Sequence, residues 1–262
     1  MSITNLKDAI NLTPNFISID TITKREFEIH KSSLFKRGMP FIIIGILPSF
    51  QKNELIDILT KHLGNQKLRV RSHSSIEDYS TNRRYEELTI TEYLSKIAED
   101  DFKGYAANNQ IGKALLDVLN IELPIFDPKN KFDNPKIWIG SNGTTTPLHR
   151  DSTDNFTYNL IGSKKWSLFS IKDSDYLYYE KNIYGIKANP LMEFYTSPVD
   201  LGKIDLSSFP LFKNAEKHDI ILEAGQVLYL PYGWGHQVEN LSTTIMINFW
   251  FQLENYIPLI LE

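Results

Sequence analysis

The sequence predicts a mainly β protein, an antiparallel sandwich or jelly roll with helices packed outside it. Beyond about residue 135, strand-like runs follow one another at 136–140, 155–161, 164–170, 218–222, 226–230 and 243–251. Turn signals separate them, among them Ser141-Asn142-Gly143, Ile161-Gly162-Ser163, Ala224-Gly225 and Tyr232-Gly233. Before that point helical periods alternate with short apolar strands. Consecutive short strands joined by glycine turns favour a sandwich or jelly roll, which limits the number of exposed edges.

In chain order, Thr23 and Glu26 stand at capping-box spacing, and Gly38 with Pro40 supplies a stop, so a helix is expected over about 24–37. Pro40 to Ile46 is short, β-branched and bounded by breakers, which reads as a buried strand. Ser49 is the expected cap of a second helix, with Leu55, Ile58, Leu59 and Leu63 at helical spacing and Gly64 ending it. Leu68 to Arg71 reads as a strand and the polar stretch 72–87 as a surface loop. A second capping box, Thr89 with Glu92, opens a helix through about Ala98. A strand at 102–106 and a helix from Ile111 to Leu119 follow. Residues 171–217, rich in Tyr, Lys and Pro, read as an insertion between strands, of the kind that forms lids or binding loops.

The chain has 262 residues, 42% of them hydrophobic and 12% aromatic, enough for a sizeable core. We expect one domain over 1–262, with 1–100 as helix-and-strand support, 101–251 as the β core and 252–262 as a short tail. A net charge of −4 implies no broad cationic field, which disfavours extended phosphate-backbone binding. With no cysteine there is neither a disulfide nor a thiolate metal site, so a metal must use His, Asp or Glu. The N-terminal residues show no basic region followed by an apolar core, and the run from Phe41 to Leu47 is far shorter than the roughly 20 residues of a membrane helix. A cytoplasmic protein without a membrane partner is the expectation.

The stretch Thr146-Pro-Leu-His149-Arg-Asp151 carries an imidazole and a carboxylate two residues apart, on one face of an extended segment. His236, in the Pro231-Tyr-Gly-Trp-Gly-His turn, is the best candidate for a third ligand. Two histidines and one carboxylate, with the remaining positions open, form the arrangement of non-haem Fe(II) oxygenases. In the run after Gly162, Lys164 shares a face with Trp166 and Leu168, opposite Lys165 and Ser167. An inward lysine in an apolar barrel is costly unless paired, so Lys164 is expected to await a carboxylate. Asn155 and Asn248 could orient ligands from a second layer. Trp234 and Trp250 read as packing residues, and Arg69, Arg71, Arg83 and Arg84 as a solvated face.

At His149-x-Asp151-x-x-x-Asn155, Gly162-x-Lys164 and Pro231-x-x-Trp234-x-His236, the chain resembles the JmjC-type, cupin-like oxygenases that use Fe(II) and 2-oxoglutarate. It looks most like the subgroup of the asparaginyl hydroxylase that modifies hypoxia-inducible factor. The resemblance implies a double-stranded β-helix with helices packed outside. It places His149, Asp151 and His236 on the iron ligands, and Lys164 on the lysine that pairs with the distal carboxylate of 2-oxoglutarate. It also places Thr146 and Tyr105 on hydroxyls for that carboxylate, and Asn155 and Asn248 on amides near the iron and cosubstrate. Trp138 departs from the pattern, standing beside the cosubstrate where relatives carry a smaller aliphatic residue. The sequence ends 14 residues after Asn248, so the C-terminal helices through which some relatives dimerise are not expected.

What the resemblance implies is O₂-dependent hydroxylation of an amino-acid side chain in a protein or peptide, with 2-oxoglutarate converted to succinate and CO₂. The alternatives are a modified tRNA base, a small amino-acid metabolite, and, from another class, a metal-binding cupin module without turnover.

Overall fold

A computed structural model of the chain describes residues 19–71, 85–97, 102–111, 114–121, 131–132, 134–182 and 194–252. It begins with β1 (Asp20–Thr23), α1 (Lys24–Arg37), β2 (Phe41–Ile44), α2 (Lys52–Leu63), β3 (Lys67–Arg71), β4 (Tyr85–Thr89) and α3 (Ile90–Ile97). β5 (Tyr105–Gln110), α4 (Ala114–Val118), β6 (Lys131–Phe132) and β7 (Lys136–Gly140) follow. Then come β8 (Thr145–Asp151), β9 (Asp154–Ile161), β10 (Lys164–Phe169), β11 (Glu180–Asn182) and β12 (Phe194–Thr196). The last strands are β13 (Lys217–Leu222), β14 (Val227–Leu230), β15 (Gly235–Asn240) and β16 (Thr244–Gln252).

Both capping boxes form. The Glu26 amide donates to the Thr23 hydroxyl at 3.2 Å, and Glu26 accepts from the Thr23 amide at 2.7 Å. Thr89 and Glu92 repeat this exchange at 3.2 and 2.8 Å. Each exchange satisfies donors that a helix start leaves open. At the other end of α1, Gly38 turns left-handed at φ 61°, which glycine tolerates without steric cost.

From β7 onward the chain swings between two sheets. The larger sheet runs β1-β2-β14-β9-β16-β7-β5-β3-β4, with β6 also on β16; the smaller runs β11-β12-β8-β15-β10-β13. β7, β9, β14 and β16 thus belong to one sheet and β8, β10, β13 and β15 to the other. This is a double-stranded β-helix, a jelly roll. Side chains alternate across its strands as the pleat requires. Phe156, Tyr158, Tyr229, Ile247 and Phe249 face the helices and pack on Phe27, Phe35, Leu55, Leu59 and Tyr93. The opposite faces of the same strands send Trp138, Leu228, Leu230, Met246 and Trp250 inward, against Trp166, Leu168 and Val238 of the smaller sheet. Behind the smaller sheet, Leu148 and Phe169 pack on Leu177, Val199 and Phe212.

Several boundaries differ from the sequence expectation. α2 starts at Lys52 with Gln51 as its N-cap, not Ser49; the Gln51 amide donates to Glu54. β5 begins at Tyr105 and extends to Gln110 through a bulge, with Asn108 at φ 55°. Asparagine tolerates that region, so an aperiodic Ala-Ala-Asn-Asn run can still be a strand. Of the expected 72–87 loop, residues 85–87 belong to β4 and 72–84 lie outside the described residues. The expected helix 111–119 is described over Ala114–Val118. The 171–217 insertion contributes β11 and β12 to the smaller sheet, so part of it is framework. Among the described residues no helix is long and apolar enough to cross a membrane.

Candidate metal site

His149 on β8 and His236 on β15 are direct partners in the antiparallel ladder. His236 therefore lies on a strand, just past the turn in which the sequence reading places it. The turn itself is anchored on both sides. The Gly233 amide donates to the Asp151 carbonyl at 3.1 Å. The Asp154 carboxylate accepts from the Tyr229 hydroxyl at 2.7 Å and from the Tyr232 amide at 3.3 Å. The Trp234 indole donates to the Gly38 carbonyl at the end of α1, at 3.1 Å.

One ligand atom each from His149, Asp151 and His236 lies within 4.8 Å of the others. The two Asp151 oxygens sit 3.9 Å from the two Nε2 atoms, Oδ1 toward His149 and Oδ2 toward His236. Nδ1 of His149 is 2.8 Å from the Pro147 carbonyl oxygen and Nδ1 of His236 is 3.1 Å from that of Trp234. A carbonyl only accepts, so each Nδ1 carries the hydrogen and each Nε2 presents a lone pair toward the third ligand. Burial lowers both imidazole pKa values. His149 is pushed well down, with His236 adding to the effect, while the Asp151 charge partly opposes the shift at His236. The Trp250 indole donates to Asp151 Oδ2 at 2.9 Å. The Trp166 ring stacks on His236, centroids 5.6 Å apart at 23°. Among the described residues the Trp166 Nε1 is buried without a hydrogen-bond partner.

Lys164 is fully buried and faces inward, and its amine lies 5.7 Å from the centre of the Tyr105 ring. The Thr146 hydroxyl donates to the Tyr105 hydroxyl at 3.3 Å, so these three residues share one end of the barrel. Among the described residues no carboxylate pairs with Lys164; its amine donates instead to Asn240 Oδ1. Burial brings the amine down to about 7. Arg71, expected on a solvated face, is buried with its guanidinium 5.1 Å from the Tyr105 ring, whereas Arg69 lies over Tyr85 at 4.2 Å. Arg83 and Arg84 lie outside the described residues.

A separate polar line crosses the larger sheet. Trp138 Nε1 donates to Asn248 Oδ1 at 2.7 Å, Asn248 Nδ2 to Asn155 Oδ1 at 3.2 Å, and the Thr157 hydroxyl also reaches Asn155 at 3.4 Å. Asn155 pairs with Trp250 in the ladder, which places this amide pair beside the residue that holds Asp151. Trp138, read as a departure from the pattern, is thus the donor that orients Asn248.

Comparison with known proteins decides the family. The family profile described as a cupin-like domain matches residues 27–256. The chain belongs to that family. This cupin-like domain is 37% identical over 175 residues to JmjC domain-containing protein D of Dictyostelium discoideum, covering 60% of the chain and 38% of the relative. It is 27% identical over 208 residues to human HSPB1-associated protein 1, covering 72% and 41%. It is 25% identical over 222 residues to lysine-specific demethylase 8 of Xenopus tropicalis, covering 81% and 48%. The chain thus spans less than half the length of these relatives.

Two contributors escaped the sequence reading. Asn240 carried a usable signal, standing four residues after His236 on one strand and therefore on the same face. Trp250 carried none, since a tryptophan in an apolar run reads as packing until its N–H finds an acid.

Proposed function

We propose that this cupin-like domain is an Fe(II)- and 2-oxoglutarate-dependent oxygenase that hydroxylates an amino-acid side chain in a protein or peptide. The convergence of His149, Asp151 and His236, each imidazole already held in the tautomer that can bind a metal, carries this reading. Two neutral nitrogens and a carboxylate suit a first-row divalent ion and leave its other positions open. The buried amine of Lys164, with Tyr105 and Thr146 beside it, supplies what the far carboxylate of 2-oxoglutarate requires. Iron with this cosubstrate supplies oxygen activation, one oxygen atom of O₂ ending in succinate and the other in the product alcohol.

The protein's part is binding and orientation. The Pro147 and Trp234 carbonyls fix the imidazole rings, and the Trp250 indole fixes the Asp151 carboxylate. The Trp138–Asn248–Asn155 line presents a rigid amide wall on the facing sheet. In this reading residues 1–262 act as one domain, the strands before residue 101 extending the larger sheet at its two edges and the helices packing on its outer face.

A protein substrate is favoured by the names of two relatives, a lysine-specific demethylase and an HSPB1-associated protein. A net charge of −4 gives no support for a tRNA substrate. The test is incubation of Fe(II)-loaded protein with 2-oxoglutarate and O₂, with peptide, amino-acid and tRNA panels, scoring succinate and a product heavier by about 16 Da. Release of formaldehyde would instead mark demethylation. Absence of succinate, together with no anaerobic binding of 2-oxoglutarate, would leave a metal-binding module without turnover.

A further inference from the structure

The partner of the buried lysine is an amide where an acid would be the simplest solution. Lys164 and Asn240 face each other in the β10–β15 ladder, 0% and 1% exposed. Asn240 Oδ1 accepts from the Lys164 amine and from the Thr244 hydroxyl at 3.0 Å, while its Nδ2 donates to the Thr144 hydroxyl at 2.7 Å. Which end of the amide faces the lysine is settled by the next bond along. The Thr144 hydroxyl spends its hydrogen on the Ser141 carbonyl at 2.7 Å, so toward Asn240 it can only accept. The amide nitrogen must then face Thr144, and the oxygen must face Lys164. Gly140 makes room for this arrangement, because a Cβ there would collide with Asn240 Nδ2.

We propose that Asn240 is a positioning residue that holds the Lys164 ammonium toward the barrel interior without neutralising it, reserving its charge for the far carboxylate of a dianionic 2-oxo acid. This rests on the oxygenase reading above. A carboxylate at position 240 would form a buried ion pair and satisfy the amine before any ligand arrived. An amide takes one of the ammonium's three hydrogens and leaves the charge and the other donors for the ligand. The arrangement also selects among ligands. A 2-oxo acid lacking a second carboxylate would leave a buried ammonium unpaired, so it should bind poorly.

The experiment is calorimetric titration of Mn(II)-loaded protein with 2-oxoglutarate and, separately, with 2-oxobutanoate, which has no far carboxylate. Wild type should bind 2-oxoglutarate and bind 2-oxobutanoate only weakly. Asn240→Asp, nearly isosteric, should weaken 2-oxoglutarate binding on the order of 100-fold, the scale of a lost charge-assisted contact in a buried site. Its Mn(II) affinity should not change, and its preference for 2-oxoglutarate over 2-oxobutanoate should shrink, because the ammonium is then paired whichever ligand enters. Asn240→Ser, which keeps a neutral polar group but releases the amine, should lose about tenfold. Equal 2-oxoglutarate affinity in wild type and Asn240→Asp would overturn the role of Asn240 and leave the oxygenase reading standing. Should Asn240→Asp not fold, unchanged affinity in Asn240→Ser overturns it equally. A wild-type protein that takes Mn(II) but no 2-oxoglutarate would overturn the oxygenase reading, and this inference with it.

Discussion

His149 and His236 oppose each other across the β8–β15 ladder with ring centroids 4.0 Å apart, and each imidazole turns its Nδ1 back to the carbonyl two residues earlier in the chain. The two Nε2 lone pairs are thereby aimed by backbone alone, before any metal arrives. Burial lowers the pKa of both rings, and at His149, where the effect is large, the neighbouring His236 adds to it. A metal therefore displaces no imidazole protons at neutral pH. Mn(II) affinity should stay flat from about pH 8 down to about pH 6.5, the ordinary histidine value. Titrations in buffers of different ionisation heat should show no proton release in that window. A steep affinity loss between pH 8 and 7 would contradict this picture. His149→Ala and Asp151→Ala should abolish both Mn(II) binding and turnover.

The Trp250 indole reaches Asp151 Oδ2 at 2.9 Å, and the same oxygen lies 3.9 Å from His236 Nε2. Trp250→Phe keeps an aromatic ring there and removes the donor together with part of the buried indole. Metal affinity should fall by about 10- to 100-fold, as for other hydrogen bonds that orient a metal-binding carboxylate. The thermal midpoint without metal should fall, since the smaller ring leaves buried volume unfilled, so Mn(II) affinity is compared well below the variant's own transition. Unchanged Mn(II) affinity would return Trp250 to the packing role suggested by its sequence context.

Legibility in the sequence followed the reach of each interaction. The capping boxes at Thr23 and Thr89 are local, and both formed where the spacing put them. The inward face of β10 could be read because a pleat of period two fixes Lys164, Trp166 and Leu168 together. Lys164 was expected to await an acid, but its resting partner, Asn240, is 76 residues away and is set by strand register. Register depends on pairing between distant segments, which composition does not encode. The same limit hid the role of β12, whose Thr196 pairs with His149, inside a stretch that reads as insertion.

Asp154 is 1% exposed, and burial raises its carboxyl to about 6 although Tyr229 and Tyr232 donate to it. A folded-state pKa above the ordinary 3.8 means the native protein binds the extra proton. This contribution is complete below pH 3.8 and is lost as pH rises through about 6. Asp154→Asn keeps an acceptor for both donors and carries no charge. The variant should therefore match or exceed wild-type stability at pH 7 to 8, and lose the part of the pH dependence between about 4 and 6. Urea denaturation at stepped pH measures both. A variant less stable by several kcal/mol at pH 8 would show that the ionised carboxylate is required to hold the turn before His236.

Lys164 shows the opposite sign. Burial lowers its amine from 10.5 to about 7, so between these values the unfolded chain holds a proton that the ligand-free native protein releases. Stability without ligand should then rise with pH across that window, by an amount on the order of a few kcal/mol. Lys164→Met, which keeps the buried length without the charge, should flatten that rise. Binding a dianion reverses the preference, because the ligand requires the ammonium. The affinity for 2-oxoglutarate should weaken as pH climbs above about 7, approaching tenfold per unit, with proton uptake visible in buffers of different ionisation heat. Lys164→Ala and Lys164→Met should both raise the 2-oxoglutarate requirement while leaving Mn(II) affinity in place. A Lys164→Met protein that binds 2-oxoglutarate as wild type does would remove the lysine, and with it the proposed anion pocket, from the site.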